Sequence, residues 1–444
     1  MAITETKTKY GQIHGVPKDG YTVFRGVPYA KPPVGEKRFC LPEEPECWEG
    51  VYEADHFGCV CPQTEHEPDS FYGKEFYLDP EFGMNQSEDC LYLNIWTPAD
   101  AADEKLPVAF WIHGGAFLHG FSHESEFDGA AYCERGVILV TINYRLGAFG
   151  FLAHPWLSEE SGVGRSGNYA ILDQIAALKW VKENIAAFGG DPENITVFGQ
   201  SAGCMSVQTL VSSPLTENWI SKAIFQSAGG YDTGLNRDML LSEAETIGQE
   251  FVELSGAKSL EELRAIPAEK IVELQEEFGR VNPSRMLSFV PNIDNHLLTC
   301  GYNEAVTEGK IKDIPYMLGS TADDIGVFPE MKEKGEHGGI YKGCINWSLA
   351  LEKLGRKPAY VYYFTRALLG DDAGAFHSSE LWYMFGTLGR SWRPKTEGDY
   401  ALSKEMMDDW TNFMKTGNPN AEGKDDWKPC TKEEPYVQVL DVRE

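Results

Sequence analysis

Short apolar runs alternate along the chain with longer stretches in which apolar residues return every three or four positions. Residues 108–112, 137–142, 195–198, 223–225, 316–318 and 360–364 are rich in β-branched and aromatic side chains and hardly interrupted by polar ones. Runs of this kind predict strands covered on both faces, as in a parallel sheet flanked by helices. Between the second and third lies a helical pattern over 169–187, with Ile171, Leu172, Ile175, Leu178, Val181 and Ile185 on one side and Gly189-Gly190-Asp191-Pro192 as its stop. Leu402, Met406, Trp410, Phe413 and Met414 mark an amphipathic helix near the C-terminus, closed by Gly417-Asn418-Pro419. Strand–helix–strand repetition predicts an α/β fold with a mostly parallel central sheet and helices on both faces.

One segment breaks the alternation. From about 235 to 280 the chain is acidic and helical, with no strand pattern, and it reads as the core of a helical insertion over 235–312 on the rim of the sheet. No repeat, low-complexity tract or Pro/Gly/Ser linker interrupts the rest, so 1–444 is expected to form one domain carrying that insertion.

Hydrophobic residues at 42% and charged residues at 24% exclude a disordered, collagen-like or coiled-coil chain. Lys plus Arg is 39 against 68 Asp plus Glu, a net charge of −29, which disfavours nucleic acid and anionic lipid as partners. Ten cysteines without a CxxC pair suggest neither a disulfide scaffold nor a zinc knuckle. The first residues, MAITETKTKYGQIHG, hold no apolar leader core, and no apolar run is long enough to span a bilayer. A cytoplasmic location with reduced thiols is expected.

The candidate chemistry centres on Gly199-Gln200-Ser201-Ala202-Gly203, which follows the strand run 195–198 and precedes a helix-competent stretch. A serine on a sharp strand-to-helix turn, flanked by glycines, stands at the C-terminal edge of the sheet as a nucleophile. A second glycine turn, His113-Gly114-Gly115-Ala116-Phe117, follows the run 108–112. Its unencumbered amides suit an oxyanion hole, with Gly115, Ala116 and Ala202 as N–H donors. Only His296, His337 and His377 follow Ser201. His377 stands before an apolar helical stretch, as a positioned base needs, whereas His337 lies in a polar loop. The acid is expected on the turn after 316–318, at Asp324 or its neighbour Asp323. His119, His123, Glu124, Glu126 and Asp128 lack a metal-site motif and read as a solvated polar loop, so neither metal nor cofactor is expected. The aromatic tract Phe71, Tyr72, Phe76, Tyr77 and Phe82 either covers a hydrophobic cleft or simply packs.

These motifs resemble the type-B carboxylesterase family, which includes cholinesterases and bacterial para-nitrobenzyl esterases. The stretch 188–203, FGGDPENITVFGQSAG, is similar to its serine signature, and 88–96, EDCLYLNIW, to its second signature. Residues 24–30 and 32–35 are similar to its N-terminal block. The resemblance implies the α/β-hydrolase fold and hydrolysis of carboxylic esters through an acyl-serine, with Ser201 as nucleophile, His377 as base and a small-molecule ester as partner. The family's acid is a Glu in a DEG motif; here Asp323-Asp324-Ile325 puts the shorter Asp324 in that place. Further implications are ion pairs Arg38–Glu88 and Arg145–Asp173, a supporting Ser227, and a disulfide from Cys90 to Cys61. Phe117 and Trp382 are the candidate substrate contacts. The short interval between Asp324 and His377 implies a reduced roof over the site and room for bulky alcohol or aryl groups. A non-catalytic interaction module, and an acyl hydrolase acting on amides, lactones or feruloyl esters, are the competing readings.

Overall fold

The structure is a computed structural model and describes residues 2–443. Its strands, in chain order, are β1 (Glu5–Thr8), β2 (Gly11–Pro17), β3 (Thr22–Pro28), β4 (Val51–Ala54), β5 (Tyr92–Thr97), β6 (Leu106–Ile112), β7 (Ile138–Ile142), β8 (Gly190–Gln200), β9 (Lys222–Gln226), β10 (Met239–Leu240), β11 (Asn292–Ile293), β12 (Tyr316–Thr321), β13 (Tyr360–Phe364) and β14 (Gln438–Leu440). One sheet runs in the order β1-β2-β3-β5-β7-β6-β8-β9-β12-β13-β14, with β4 beside β2. From β7 to β14 every pairing is parallel, and from β1 to β7 along this path every pairing is antiparallel. The parallel half is the expected one. The antiparallel N-terminal half was not anticipated, because its short strands mix polar and apolar residues too irregularly to stand out.

The reason for the continuous apolar runs is visible in the packing. Val108, Phe110 and Ile112 of β6 enter the hydrophobic layer on one face of the sheet, while Ala109 and Trp111 enter the layer on the other. Ile138 and Val140 of β7, and Val197 of β8, join the first layer; Leu139 and Phe198 join the second. With both faces buried, neither parity of the strand has a polar side. The 169–187 helix ends as an α-helix at Asn184, continues as a 3-10 turn over Ile185–Phe188 and stops at Gly189 with φ +82°. Gly190, Asp191 and Pro192 already belong to β8. The C-terminal helix spans Glu397–Thr416, with a Thr396/Asp399 capping box and left-handed Gly417 at its end.

The 235–280 segment forms helices Leu241–Ser255, Leu260–Ala265 and Ala268–Val281, but it is not free of strand. Met239–Leu240 pairs in parallel with Asn292–Ile293. The helices bury Ile247, Phe251, Leu263, Ile271, Leu274 and Phe278. Arg38 anchors them by donating to the carbonyls of Arg264 and Ile266 while its Nε holds Glu88 Oε1 at 2.7 Å. Arg145 pairs with Asp173 at 2.7 and 2.8 Å, both side chains buried. The disulfide implied by the resemblance is not formed: Cys61 and Cys90 are free thiols. The hydrogen bond that the Cys90 thiol donates to Cys61, together with burial, pushes that thiol well above its usual range.

Candidate active site

The chain runs outward from β6 to β7 on one side, then returns to β8 on the other side of β6. Ligands of open α/β sheets bind outside the C-terminal ends of the strands at such a reversal. The glycine turn follows β6 and Ser201 follows β8, so both candidate elements flank this crevice.

Ser201 has φ +56° and ψ −126°, a left-handed-side conformation that a residue with a Cβ adopts only under constraint. The constraint comes from the helix Ala202–Ser212, which starts at the next residue and lies against β6 and β8. A Cβ on Gly203 would stand 2.0 Å from the Ile112 carbonyl oxygen, and one on Gly199 would stand 2.6 Å from Gly203. The two flanking glycines are therefore required by close approach of backbones rather than by positive φ, which neither has. The Ser201 amide is held by the Gln226 carbonyl at 2.9 Å.

On the facing turn, Gly115, Ala116 and Phe117 have φ +98°, +57° and +62°. Three successive residues on that side of φ curl the turn, and the Leu118 and His119 amides both bond back to the Gly115 carbonyl at 2.9 Å. Among the described residues the amides of Gly115, Ala116 and Ala202 have no backbone acceptor, and Gly115 and Ala116 line the cavity beside Ser201. His113, before this turn, is not a base candidate: burial pushes its imidazole down to about 4, and it stacks on Tyr144 at 4.4 Å.

The imidazole of His377 meets Asp324, Nδ1 to Oδ1 at 2.6 Å. Asp324 is buried and fixed by the amides of Thr321 at 3.0 Å and Ile325 at 2.8 Å. Asp323 points elsewhere. One of its oxygens pairs with Lys332, and the other accepts the Ala375 N–H at 2.9 Å. Its backbone N–H also donates to the Ala375 carbonyl at 2.9 Å, so Asp323 stitches the turn after β12 to the loop that carries His377. Of the other histidines considered, His296 is exposed, and His337 stacks on Tyr341 at 4.0 Å, anchored by aromatic rings rather than loose in a polar loop.

With Nδ1–H donating to Asp324, Nε2 of His377 carries the lone pair. Its partner is the carboxamide of Gln200, which donates from Nε2 at 3.2 Å. Ser201, His377, Gln200, Gly115 and Ala116 line one cavity of about 230 Å³. Gln200 escaped the sequence reading because it fills the variable place of the serine turn.

Two other expectations need correction. The candidate substrate contacts Phe117 and Trp382 do not line this cavity. Phe117 is buried against Phe151, and Trp382 packs on Phe76 with its Nε1–H donating to Glu75 at 2.9 Å. The aromatic lining comes instead from Tyr72, Phe76 and Tyr77 of the tract before Cys90, and from Phe127. The loop around His119–Asp128 is not solvated: His123, Glu124 and Glu126 are 4%, 6% and 1% exposed. Phe57 stacks on His123, and the Glu124 carboxylate accepts the Phe121 N–H at 2.8 Å. Charged letters in sequence gave no sign that this loop folds inward under the aromatic tract. No metal-binding group of His, Cys, Asp and Glu occurs among the described residues. Ser227 is fully buried at the end of β9, with φ +56° and no partner for its hydroxyl. A larger cavity of about 1120 Å³, lined by Tyr169, Arg264 and His296, contains none of the serine, histidine or glycine-turn residues.

A largely parallel sheet with a strained serine turn at its C-terminal edge, and a histidine–carboxylate pair reaching the same crevice, defines an α/β-hydrolase. Comparison with known proteins narrows the class: the profile of the carboxylesterase family matches residues 3–343 and 341–443, and the chain belongs to that family. It is 33% identical to the para-nitrobenzyl esterase of Bacillus subtilis (strain 168), over 98% of this chain and 94% of that one. It is also 33% identical to the fumonisin B1 esterase of Sphingopyxis macrogoltabida, over 95% of this chain and 83% of that one. A solved PNB esterase superposes with a TM-score of 0.86 at 32% identity, covering 99% of this chain and 96% of its own. The protein is a carboxylic ester hydrolase. No helix among the described residues is long and apolar enough to cross a membrane.

Proposed function

We propose that Ser201 is the nucleophile of this esterase, His377 its general base and Asp324 the acid that orients the base. The reading rests on one observation: His377 holds Asp324 through Nδ1 at 2.6 Å, while its other edge faces the cavity lined by Ser201. Ser201 Oγ attacks the ester carbonyl as Nε2 takes its proton. Asp324 keeps the tautomer that leaves Nε2 basic, and it stabilises the imidazolium that forms. The amides of Gly115, Ala116 and Ala202 stabilise the oxyanion, each worth roughly 3–4 kcal/mol at the transition state. The imidazolium then protonates the departing alcohol, and water repeats the sequence on the acyl-serine. No metal or organic cofactor enters these steps.

Substrate scope is part of the same reading. The 53-residue interval from Asp324 to His377 and the exposure of Ala116 support an open site taking esters with bulky alcohol or aryl groups. Relatives named for para-nitrobenzyl and fumonisin B1 esters favour such groups too. Acetyl esters of small and large alcohols should be turned over comparably; strict preference for small alcohols would reject the open site. A cytoplasmic location, supported by ten free cysteines, belongs to the proposal, as does one domain over 1–444 with its insertion at 235–312.

A fluorophosphonate probe tests the catalytic assignment. The wild-type protein should be labelled, and the Ser201→Ala protein should escape labelling and lose p-nitrophenyl acetate hydrolysis by roughly 10⁴-fold or more. Full activity in Ser201→Ala would overturn it.

A further inference from the structure

The cavity that holds Ser201 and His377 is also lined by two glutamates, Glu124 and Glu126. Both are buried, at 6% and 1% exposed. Three other deep carboxylates are neutralised by arginine: Glu75 by Arg393 at 2.7 Å, Asp173 by Arg145 at 2.7 Å, and Asp399 by Arg366 at 2.7 Å. Glu124 and Glu126 have no ion-pair partner among the described residues, and Glu126 Oε2 has no hydrogen-bond donor. What faces them is the Phe121 N–H on Glu124, Tyr77 and each other. The two imidazoles in the same lining, His66 and His119, are held neutral by burial, the first down to about 4. The remaining walls are aromatic rings, Tyr72, Phe76 and Phe127 among them.

An unneutralised buried carboxylate costs folding free energy unless something answers it. Burial pushes the Glu124 carboxyl up to about 7, and burial plus the charge of Glu124 pushes Glu126 well above the usual range. The empty pair therefore retains a proton near neutrality. A ligand that brings both positive charge and N–H donors replaces that proton and gives the pair donors in its place. Aromatic faces around it add cation–π attraction. A quaternary ammonium supplies the charge without the donor, and an alcohol supplies a donor without the charge.

We propose that Glu124 and Glu126 form a subsite for a primary ammonium group on the ester, so that amino-substituted esters are favoured substrates. The proposal rests on the reading that this cavity receives the ester. Its test is calorimetric, so that binding is scored apart from turnover. n-Hexylammonium, 1-hexanol and n-hexyltrimethylammonium are titrated into wild-type protein and into Glu126→Gln. On wild type, hexylammonium should bind at least about tenfold more tightly than either of the other two, the gain expected of a charge-assisted bond in a low-dielectric site. In Glu126→Gln, of nearly the same volume, the advantage should shrink to about threefold or less. Equal binding of the three by wild type overturns the subsite, and this comparison decides even if the variant fails to fold. Persistence of the full advantage in a folded Glu126→Gln protein overturns it too. Hydrolysis of p-nitrophenyl acetate is measured alongside. Turnover without ammonium preference sinks the subsite alone, whereas ammonium preference without any turnover sinks the esterase assignment of Ser201 and leaves the subsite standing.

Discussion

At the scale of single residues, the adjacent acids Asp323 and Asp324 differ in what they touch. On the proposed mechanism, Asp324→Asn removes the carboxylate that selects the imidazole tautomer, and kcat is expected to fall by roughly 10⁴-fold with the fold intact. Asp323→Asn loosens the joint between two loops, so its effect should fall mainly on thermal stability, with a far smaller loss of kcat. Steady-state kinetics and melting curves on the two variants check the division; equal kcat losses would break it. Gln200 offers a sharper probe of the base. Its N–H occupies the Nε2 lone pair of His377, so on the proposed mechanism the carboxamide withdraws before attack. Gln200→Glu puts a negative charge beside the imidazole and favours its protonated form. The acidic limb of kcat/KM is then expected to move to higher pH by about one unit. An unmoved limb would mean that residue 200 does not touch the base in the working enzyme.

Elements explain what could be read in advance and what could not. The parallel strands were legible because burial on both faces forces uninterrupted apolar runs, and the serine turn because Gly199 and Gly203 leave a local signature. The proposed roles of Ser201, His377 and the glycine turn come from motif and order along the chain. The cavity walls do not. Tyr72, Phe76 and Tyr77 reach the site through a loop whose path no periodicity encodes, and Glu124 and Glu126 look like surface residues until that loop covers them. Phe117 and Trp382 show the converse: proximity in sequence to the glycine turn and the base says nothing about which way a side chain faces, and both are buried against other rings. The meeting of helix and strand at the serine turn has its own test. Gly203→Ala would drive a methyl to 2.0 Å from the Ile112 carbonyl, backbone against backbone, with no rotamer to relieve it. Destabilisation of about 1–3 kcal/mol or more is expected in urea unfolding, because overpacking here displaces β6. An unchanged midpoint would show that the helix stands farther from β6 than described.

Across the whole molecule, the net charge of −29 sits around an interior that also keeps acids without cations. Glu380 is the clearest case. It is fully buried three residues after His377, with Gln226 Nε2 donating to one oxygen at 3.4 Å and the other oxygen unpartnered. Burial first, and the charge of Asp324 second, push its carboxyl up to about 7, against an ordinary value of 4.5. A carboxyl whose folded value is raised stabilises the fold fully below its unfolded value, and that contribution is lost as pH climbs through the folded one. The window therefore runs upward from about pH 4.5 to about pH 7. Glu380→Gln is nearly isosteric and uncharged at every pH, so it removes this dependence. Relative to wild type, the variant should gain about 2–3 kcal/mol between pH 5 and pH 8, read as the change in the difference of their unfolding free energies. Taking the difference cancels the general repulsion of the acidic surface, which both proteins share. Parallel stability curves for the two proteins across that range would mean that Glu380 is ionised within the fold, and that a cation or water network neutralises it there.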